Sequence, residues 1–387
     1  MLRFDRTLLP AAQLEFAVVA DTHYMVDPGD GPLEFESRRR QSERARIAWQ
    51  MVATLEPAFV VHLGDLVQEF PGRPDFERSQ REALAQIDAV GLRRLCHFVA
   101  GNHDVGDKPD PTMPTEDVTD AALRDWHHLF GPSWSSWDAC GFHFVILNSQ
   151  ILNTGLRAET EQRAWFEAHL AAQVDPVVLF LHLPPYLYDA HEAALGHYDN
   201  IAEPARGWLL DLLDSHRVAS VFAAHVHFRF LHVPGPGRRY WLAPSTSFTR
   251  PGFGHLFTAA APPEQGRDDT GKIGFLLCRI VDGRLDVHLV RTDAVDADSG
   301  TIQLTPPPVA AVGRLGVTAA HVLAPHTQVP IAYPSAIRQP VRNDYPLLAC
   351  MELGATRIRV PAVDLEDPAQ ARRLDLLREE GVVVQVT

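Results

Sequence analysis

The stretch Leu14-Glu15-Phe16-Ala17-Val18-Val19-Ala20-Asp21-Thr22-His23 carries the reading of the fold. An apolar run rich in β-branched residues ends abruptly in a carboxylate and an imidazole, as a buried strand does when it delivers polar side chains at its carboxyl end. The construction recurs four times. Ala58–Leu63 runs into Gly64-Asp65, and Leu95–Ala100 into Gly101-Asn102-His103-Asp104. Val177–Leu181 runs into His182, and Ser220–Ala224 into His225-Val226-His227. Open α/β folds place their ligands at the carboxyl ends of parallel strands. In extended chain, residues i and i+2 share a face, so Asp21 with His23, and His225 with His227, can each address one site. Hard oxygen and borderline nitrogen donors in this mixture suit two divalent first-row metals.

Between these strands the apolar period switches to that of helices. Glu36 to Leu55 reads as a helix with Ile47, Met51, Val52 and Leu55 on one face. Asp75 to Val90 reads as a second, with Asp75 as N-cap and Gly91 as C-cap. Further helices are expected over 119–130, 158–173 and 204–216, and an antiparallel pair around Gly141. Strands alternating with helices argue for a largely parallel sheet. Phe228–Val233, Arg239–Leu242, Ile273–Val281 and Leu285–Arg291 read as antiparallel strands, the last two joined at Gly283.

Residues 1–292 therefore form the main domain. Residues 293–309, ending in Pro306-Pro307-Pro308, read as a stiff linker. Residues 310–387 hold a strand at Arg357–Val363, a helix from Asp367-Pro368 to Glu380, and a strand at Val382–Val386. That unit is too small to bury much by itself. The stop at Thr387 is consistent with a truncated domain.

A net charge of -14 argues against an extended nucleic-acid footprint. The four cysteines stand far apart, with no CxxC pair, so zinc-knuckle and thioredoxin chemistry are not expected. Met1–Pro10 is charged and lacks the apolar stretch of a signal peptide, and no run reaches membrane-spanning length. The expectation is a cytoplasmic protein that does not engage a membrane; nothing here bears on oligomeric state.

With Asp21-Thr22-His23, Gly64-Asp65, Gly101-Asn102-His103-Asp104, the lone His182 and Ala224-His225-Val226-His227 in this order, the chain resembles the calcineurin-like metallophosphoesterase superfamily over roughly residues 14–292. Ala224 replaces the family's usual glycine, which adds one methyl and leaves every ligand in place. The resemblance implies a four-layer α/β/β/α sandwich, with the small C-terminal α/β segment appended. It also implies that one metal takes Asp21, His23 and His227, the other takes Asn102, His182 and His225, and Asp65 bridges them. Two divalent ions (Mn, Fe, Zn or Co) about 3.5–4 Å apart would hold a shared hydroxide and clamp phosphoryl oxygens. His103 is implied as the proton donor to the leaving group. Asp104 is expected to orient His103 or the Asn102 backbone.

Other histidines read more simply. His62 and His143 lie inside apolar strands as hydrogen-bonded core residues, and His127-His128 lies on a helix surface. Gly64-Asp65 continues as Leu66-Val67-Gln68-Glu69, without the Asp-Arg-Gly typical of the superfamily's protein serine/threonine phosphatases. The spacing is similar to that of bacterial phosphodiesterases acting on cyclic nucleotides or glycerophosphodiesters, so a small phosphodiester is the expected substrate. Tyr186, Tyr188, His197, Tyr198, Asn200 and Arg250, in or near long loops, are candidate selectors. The alternatives are a phosphomonoesterase of broad specificity and a non-catalytic metal-binding scaffold.

Overall fold

A computed structural model describes residues 2–33, 36–110, 113, 116–192, 199–235, 237–249, 271–292, 299–304, 316–320, 323, 326–329, 339–342 and 344–387. The main domain is built from β1 (Arg3–Asp5), β2 (Leu14–Val19), α1 (Gln41–Leu55), β3 (Val60–His62), α2 (Phe76–Ala89), β4 (Cys96–Phe98) and the short α3 (Asn102–Val105). There follow α4 (Asp120–Phe130), β5 (Ser135–Ala139), β6 (Phe142–Ile146), α5 (Arg157–Ala172), β7 (Val177–Phe180), α6 (Ala205–Ser215) and β8 (Val218–Ala223). Four strands complete it: β9 (Phe230–Gly235), β10 (Arg238–Leu242), β11 (Gly274–Val281) and β12 (Arg284–Arg291).

Two sheets result. One has the order β12-β11-β2-β3-β4 and the other β5-β6-β7-β8-β10-β9. The centres are parallel: β2, β3 and β4 in the first, and β6, β7, β8 and β10 in the second. Alternate side chains of a strand leave on opposite faces, and here both faces are buried, which accounts for the continuous apolar runs. Phe16, Val18, Val61 and Leu276 meet Phe144, Val178, Phe180 and Phe222 between the sheets. On the outer face of the first sheet, Ala17, Val19 and Val60 are covered by Trp49, Met51 and Val52 of α1 and Ile87 of α2. On the second, Val145, Leu179 and Val221 are covered by Phe166 of α5 and Leu209 and Leu213 of α6. The layers run α/β/β/α.

The four strands read together as antiparallel divide between the sheets. β9 and β10 pair with each other, but β10 runs parallel to β8. The β11–β12 hairpin joins the other sheet, antiparallel to β2. Within the expected linker, β13 (Thr301–Gln303) pairs in parallel with β1, so this part of it is tied to the main domain.

The C-terminal unit contains β14 (Gly316–Thr318), the antiparallel pair β15 (His326–Val329) and β16 (Gln339–Arg342), and α7 (Tyr345–Glu352). Then come β17 (Arg357–Val360), α8 (Pro368–Glu379) and β18 (Val383–Val386). β14, β17 and β18 form a parallel sheet in that order. Leu347, Ile358, Leu374 and Leu377 belong to the same apolar cluster as the inter-sheet core. A unit too small to bury its own surface thus borrows the main domain's core.

Candidate metal centre

Asp21, Asp65, Asn102, His182 and His225 all lie just past the carboxyl ends of β2, β3, β4, β7 and β8. The local backbone is not the extended chain that the i, i+2 spacing suggested. Asp21 (φ 50°), His23 (φ 43°), Asp65 (φ 56°), His225 (φ 73°) and His227 (φ 57°) occupy the left-handed region. Each such residue costs about 1–3 kcal/mol and persists only where its surroundings over-determine it. Here they do. Asp21 N–H donates to Gly64 O at 3.1 Å and His23 N–H to Asp65 O at 3.0 Å. The Asp21 carbonyl accepts from the hydroxyls of Ser245 (2.9 Å) and Ser247 (2.7 Å). The His23 carbonyl accepts from Gln41 Nε2 at 2.9 Å, at the start of α1.

The glycines of the second and third blocks have a packing reason. A Cβ on Gly64 would meet His182 Nδ1 at 2.6 Å, and one on Gly101 would meet Asp65 Oδ1 at 2.3 Å. The loops after β3 and β4 approach too closely for any side chain at either place.

The seven expected ligands converge, fully buried. His23 Nε2 and His227 Nε2 are 3.0 Å apart, and His227 Nε2 lies 3.8 Å from Asp21 Oδ1. His182 Nε2 is 3.2 Å from Asn102 Oδ1 and 3.1 Å from His225 Nδ1, and those two atoms are 3.1 Å apart. Asp65 Oδ2 lies between the groups, 3.5 Å from His23 Nε2 and 3.3 Å from His182 Nε2. Adjacent ligands on a cation with bonds near 2.1 Å are about 3.0 Å apart at right angles, so these separations fit a coordination shell.

The protons point the same way. His182 Nδ1 donates to Leu63 O at 2.7 Å and His227 Nδ1 to Phe248 O at 2.9 Å, since a carbonyl only accepts. In the neutral rings, both Nε2 lone pairs then aim into the cluster, His227 Nε2 directly at His23 Nε2. With that tautomer His182 Nε2 and Asn102 Oδ1, 3.2 Å apart, both present lone pairs, an arrangement that a cation between them relieves, so the donor set fits bound metal. Burial opposes ionisation of Asp65, yet His182 and the other imidazoles hold its carboxyl well below the usual range. Burial lowers His182, but the charge and hydrogen bond of Asp65, the Asp21 charge and the Leu63 carbonyl together raise it to about 9. The pull that favours a proton there favours a cation equally.

His103 stands beside this cluster. Its Nδ1 donates to Gln68 O at 2.6 Å, its ring stacks on Phe70, and it meets His23 edge-on at 4.6 Å. That leaves Nε2 as its chemically available nitrogen. Burial lowers its pKa, so the neutral ring is favoured before substrate arrives.

The profile of the family described as calcineurin-like phosphoesterase matches residues 14–229, more than half of the chain. The chain belongs to the calcineurin-like phosphoesterase family. It is 30% identical over 209 residues to the serine/threonine-protein phosphatase CPPED1 of Bos taurus, covering 52% of this chain and 63% of that one. The human protein of the same name is 28% identical over the same length and coverage. The chain thus spans less than two thirds of these relatives. The crystal structure of a dimetal phosphatase from Danio rerio shares the fold at TM-score 0.50 and 17% identity, over 73% of this chain and 97% of that one.

Around this centre, several residues act that the sequence reading passed over or assigned elsewhere. The Asp104 carboxylate accepts the backbone N–H of Asp65 (2.8 Å), Leu66 (3.1 Å) and Gly101 (2.9 Å). Burial and the Asp65 charge push its carboxyl up to about 7, against these three donors. Asp107 accepts from the Asn102 amide, which turns Asn102 Oδ1 toward the imidazoles. Asp199 Oδ1 lies 3.8 Å from His225 Nε2. His62, read as a core histidine, is one: Nε2 donates to Thr22 Oγ1 at 3.0 Å and Nδ1 accepts Gly64 N–H at 3.3 Å, because Thr22 gives its own proton to Leu66 O. It thereby ties the Asp21-Thr22-His23 turn to the Gly64-Asp65 turn. A hydroxyl and an imidazole flanking the expected ligands were the only signals for this bracing.

Of the loop candidates, Tyr186 bonds His232 at 3.0 Å, Tyr188 bonds Asp367 at 2.7 Å, and the Asn200 carbonyl accepts from Lys108 at 2.5 Å. His197, Tyr198 and Arg250 lie outside the described residues. His143 bonds Asp138 and His169, and His127 bonds Ser133, so these expected bystanders do not enter the site. No described helix is long and apolar enough to cross a membrane.

Proposed function

We propose that this chain is a binuclear metal-dependent phosphoesterase acting on small phosphate esters. The observation that carries the reading is the convergence of the two triads on the shared Asp65 oxygen, with imidazole lone pairs turned inward by backbone carbonyls. Asp21, His23 and His227 would hold one divalent ion, and Asn102, His182 and His225 the other, with Asp65 common to both. Bound there, such ions lower the pKa of water and stabilise charge on phosphoryl oxygens. The protein's part is positional. The strained turns aim the ligands, Asp107 fixes the orientation of Asn102 through its amide, and Asp199 places a carboxylate 3.8 Å from His225 Nε2. His103, held through Nδ1 by Gln68, leaves Nε2 available, and once that nitrogen is protonated beside a bound phosphate it can pass the proton to the leaving oxygen.

The phosphatase name of the curated relatives supports a phosphomonoester as substrate. The motif spacing supports the second reading, a small phosphodiester of cyclic-nucleotide or glycerophosphodiester type. A surviving His103 beside a complete ligand set disfavours the scaffold reading. Metal-stripped protein should lose turnover and regain it with Mn, Fe, Zn or Co at close to two equivalents. Nitrophenyl phosphate hydrolysed faster than bis-nitrophenyl phosphate supports the monoesterase, and the reverse order the diesterase. Full turnover in metal-free protein would refute both.

A further inference from the structure

Residues 183–192 leave a candidate metal-binding position, His182, and Asp199, 3.8 Å from His225 Nε2, borders the centre with Asn200. These residues are organised around one buried carboxylate. Glu192 accepts the backbone N–H of Leu187 (3.0 Å) and Tyr188 (2.8 Å) and the Asn200 side-chain amide (2.6 Å). Asn200 in turn accepts from Lys108, and Asp199 faces His225. Tyr188 is thus two links from the rim of the metal cluster.

Its other side belongs to the C-terminal unit. The Tyr188 hydroxyl donates to Asp367 Oδ2 at 2.7 Å, and the Arg373 guanidinium lies over its ring at 5.2 Å. Arg373 is buried, with Asp344 Oδ1 at 3.9 Å, and Asp344 Oδ2 accepts the Leu231 N–H of β9 at 3.2 Å. A second clasp falls two residues past His227, where Arg229 pairs with Glu352 at 2.7 Å and its N–H reaches Tyr345 Oη at 3.4 Å. The C-terminal unit thus grips both the segment leaving His182 and the one leaving His227, beyond the apolar packing it shares with the inter-sheet core. Buried ion pairs cost desolvation and are weak as glue, but they fix one geometry when fully bonded.

We propose that the C-terminal α/β unit is a positioning element of the active site, holding residues 183–192 through Tyr188 and thereby setting substrate affinity. The inference rests on the phosphoesterase reading for its kinetic consequence, though not for its structural one. Tyr188 is a positioning residue: among the described residues it reaches the centre through Glu192, Asn200 and Asp199.

The test uses the whole 387-residue chain with both metals. Tyr188→Phe and Asp367→Ala should each raise KM for nitrophenyl phosphate roughly 5- to 30-fold, a common range for coupling between sites, with kcat little changed. Metal content should stay at the wild-type level. The double variant should be no worse than the stronger single one, because both remove the same bond. Asp367→Asn keeps an acceptor oxygen and should restore KM. Independently of turnover, the amides of Leu187 and Tyr188 should exchange hydrogen faster in Asp367→Ala. Unchanged KM with unchanged exchange would overturn the proposal. So would a parallel fall of kcat and metal content, which would mark a general structural role. Wild-type protein without hydrolytic activity would refute the phosphoesterase reading instead, and amide exchange would still decide the positioning role.

Discussion

Gly101→Ala isolates how far the chemistry depends on two loops touching. Gly101 has φ −101° and ψ 175°, angles open to alanine, so the perturbation is purely steric. The new methyl would stand 2.3 Å from Asp65 Oδ1 and 2.5 Å from Asp65 N, with His182 Cε1 at 3.0 Å. Moving the carboxylate oxygen out to an ordinary 3.4 Å contact takes a shift of about 1.1 Å. Asp65 cannot yield that distance quietly. Its Oδ1 accepts His103 N–H at 2.9 Å, and its Oδ2 is the atom shared between His23 and His182. A displacement of about 1 Å at a positioning group costs on the order of 10²-fold in rate, or roughly 2.7 kcal/mol of transition-state stabilisation. The strain on folding should be about 1–3 kcal/mol, typical of overpacking. The assay is kcat on an aryl phosphate with metal content and thermal midpoint measured on the same preparation. The outcome should be a loss of about 100-fold with a folded, mildly destabilised protein. Gly207→Ala in α6, where a Cβ meets only the Glu203 carboxylate at 3.1 Å, is the control and should be close to neutral. Wild-type turnover in Gly101→Ala would refute the claim that the close approach of these loops positions Asp65.

Three further outcomes follow from named contacts. Asp65→Ala should be the most damaging ligand change and release both metals, measurable by metal analysis; retention of two equivalents with normal turnover would contradict its shared position. His103→Ala should retain metal yet slow esters with alkoxide leaving groups by about 10²–10⁴-fold, and nitrophenyl esters far less, because nitrophenolate leaves without much protonation. Glu15 bonds Arg6 at 2.9 Å and the buried Arg279 at 2.6 Å; burial alone would raise its carboxyl, but the two arginines hold it below 4.5. A depressed folded value contributes stability that is present above pH 4.5 and is lost as pH falls through it. Glu15→Gln should therefore lower stability at pH 7 by about 1–2 kcal/mol, discounted for partial exposure, and the gap to wild type in denaturant titrations should close on acidification.

Much of the centre was legible along the chain, because its residues are delivered one block at a time by strands whose apolar runs end in polar side chains. Asp21, His23, Asp65, Asn102, His103, His182, His225 and His227 could be named from that pattern, and the structure gathers them all. The alternation of strands and helices likewise announced the α/β layers, since each element's period records the face it buries. The tertiary structure decided what depends on partners far away in sequence. The left-handed turn at Asp21 and His23 is held by Ser245, Ser247 and Gln41, none of them adjacent to the residue it braces. The β11–β12 hairpin has the same local pattern whichever sheet it joins, and only the unpaired edge of β2 selects one. Asp104 was legible as part of the site but not as the clamp on the Gly64–Leu66 turn, because three backbone N–H groups carry no sequence signature. The C-terminal unit could be read as strand, helix and strand, but its hold on Tyr188 and Arg229 could not. Ion pairs and hydrogen bonds act over a few ångströms of space, and one chain pattern is compatible with many such pairings until the sheets have packed.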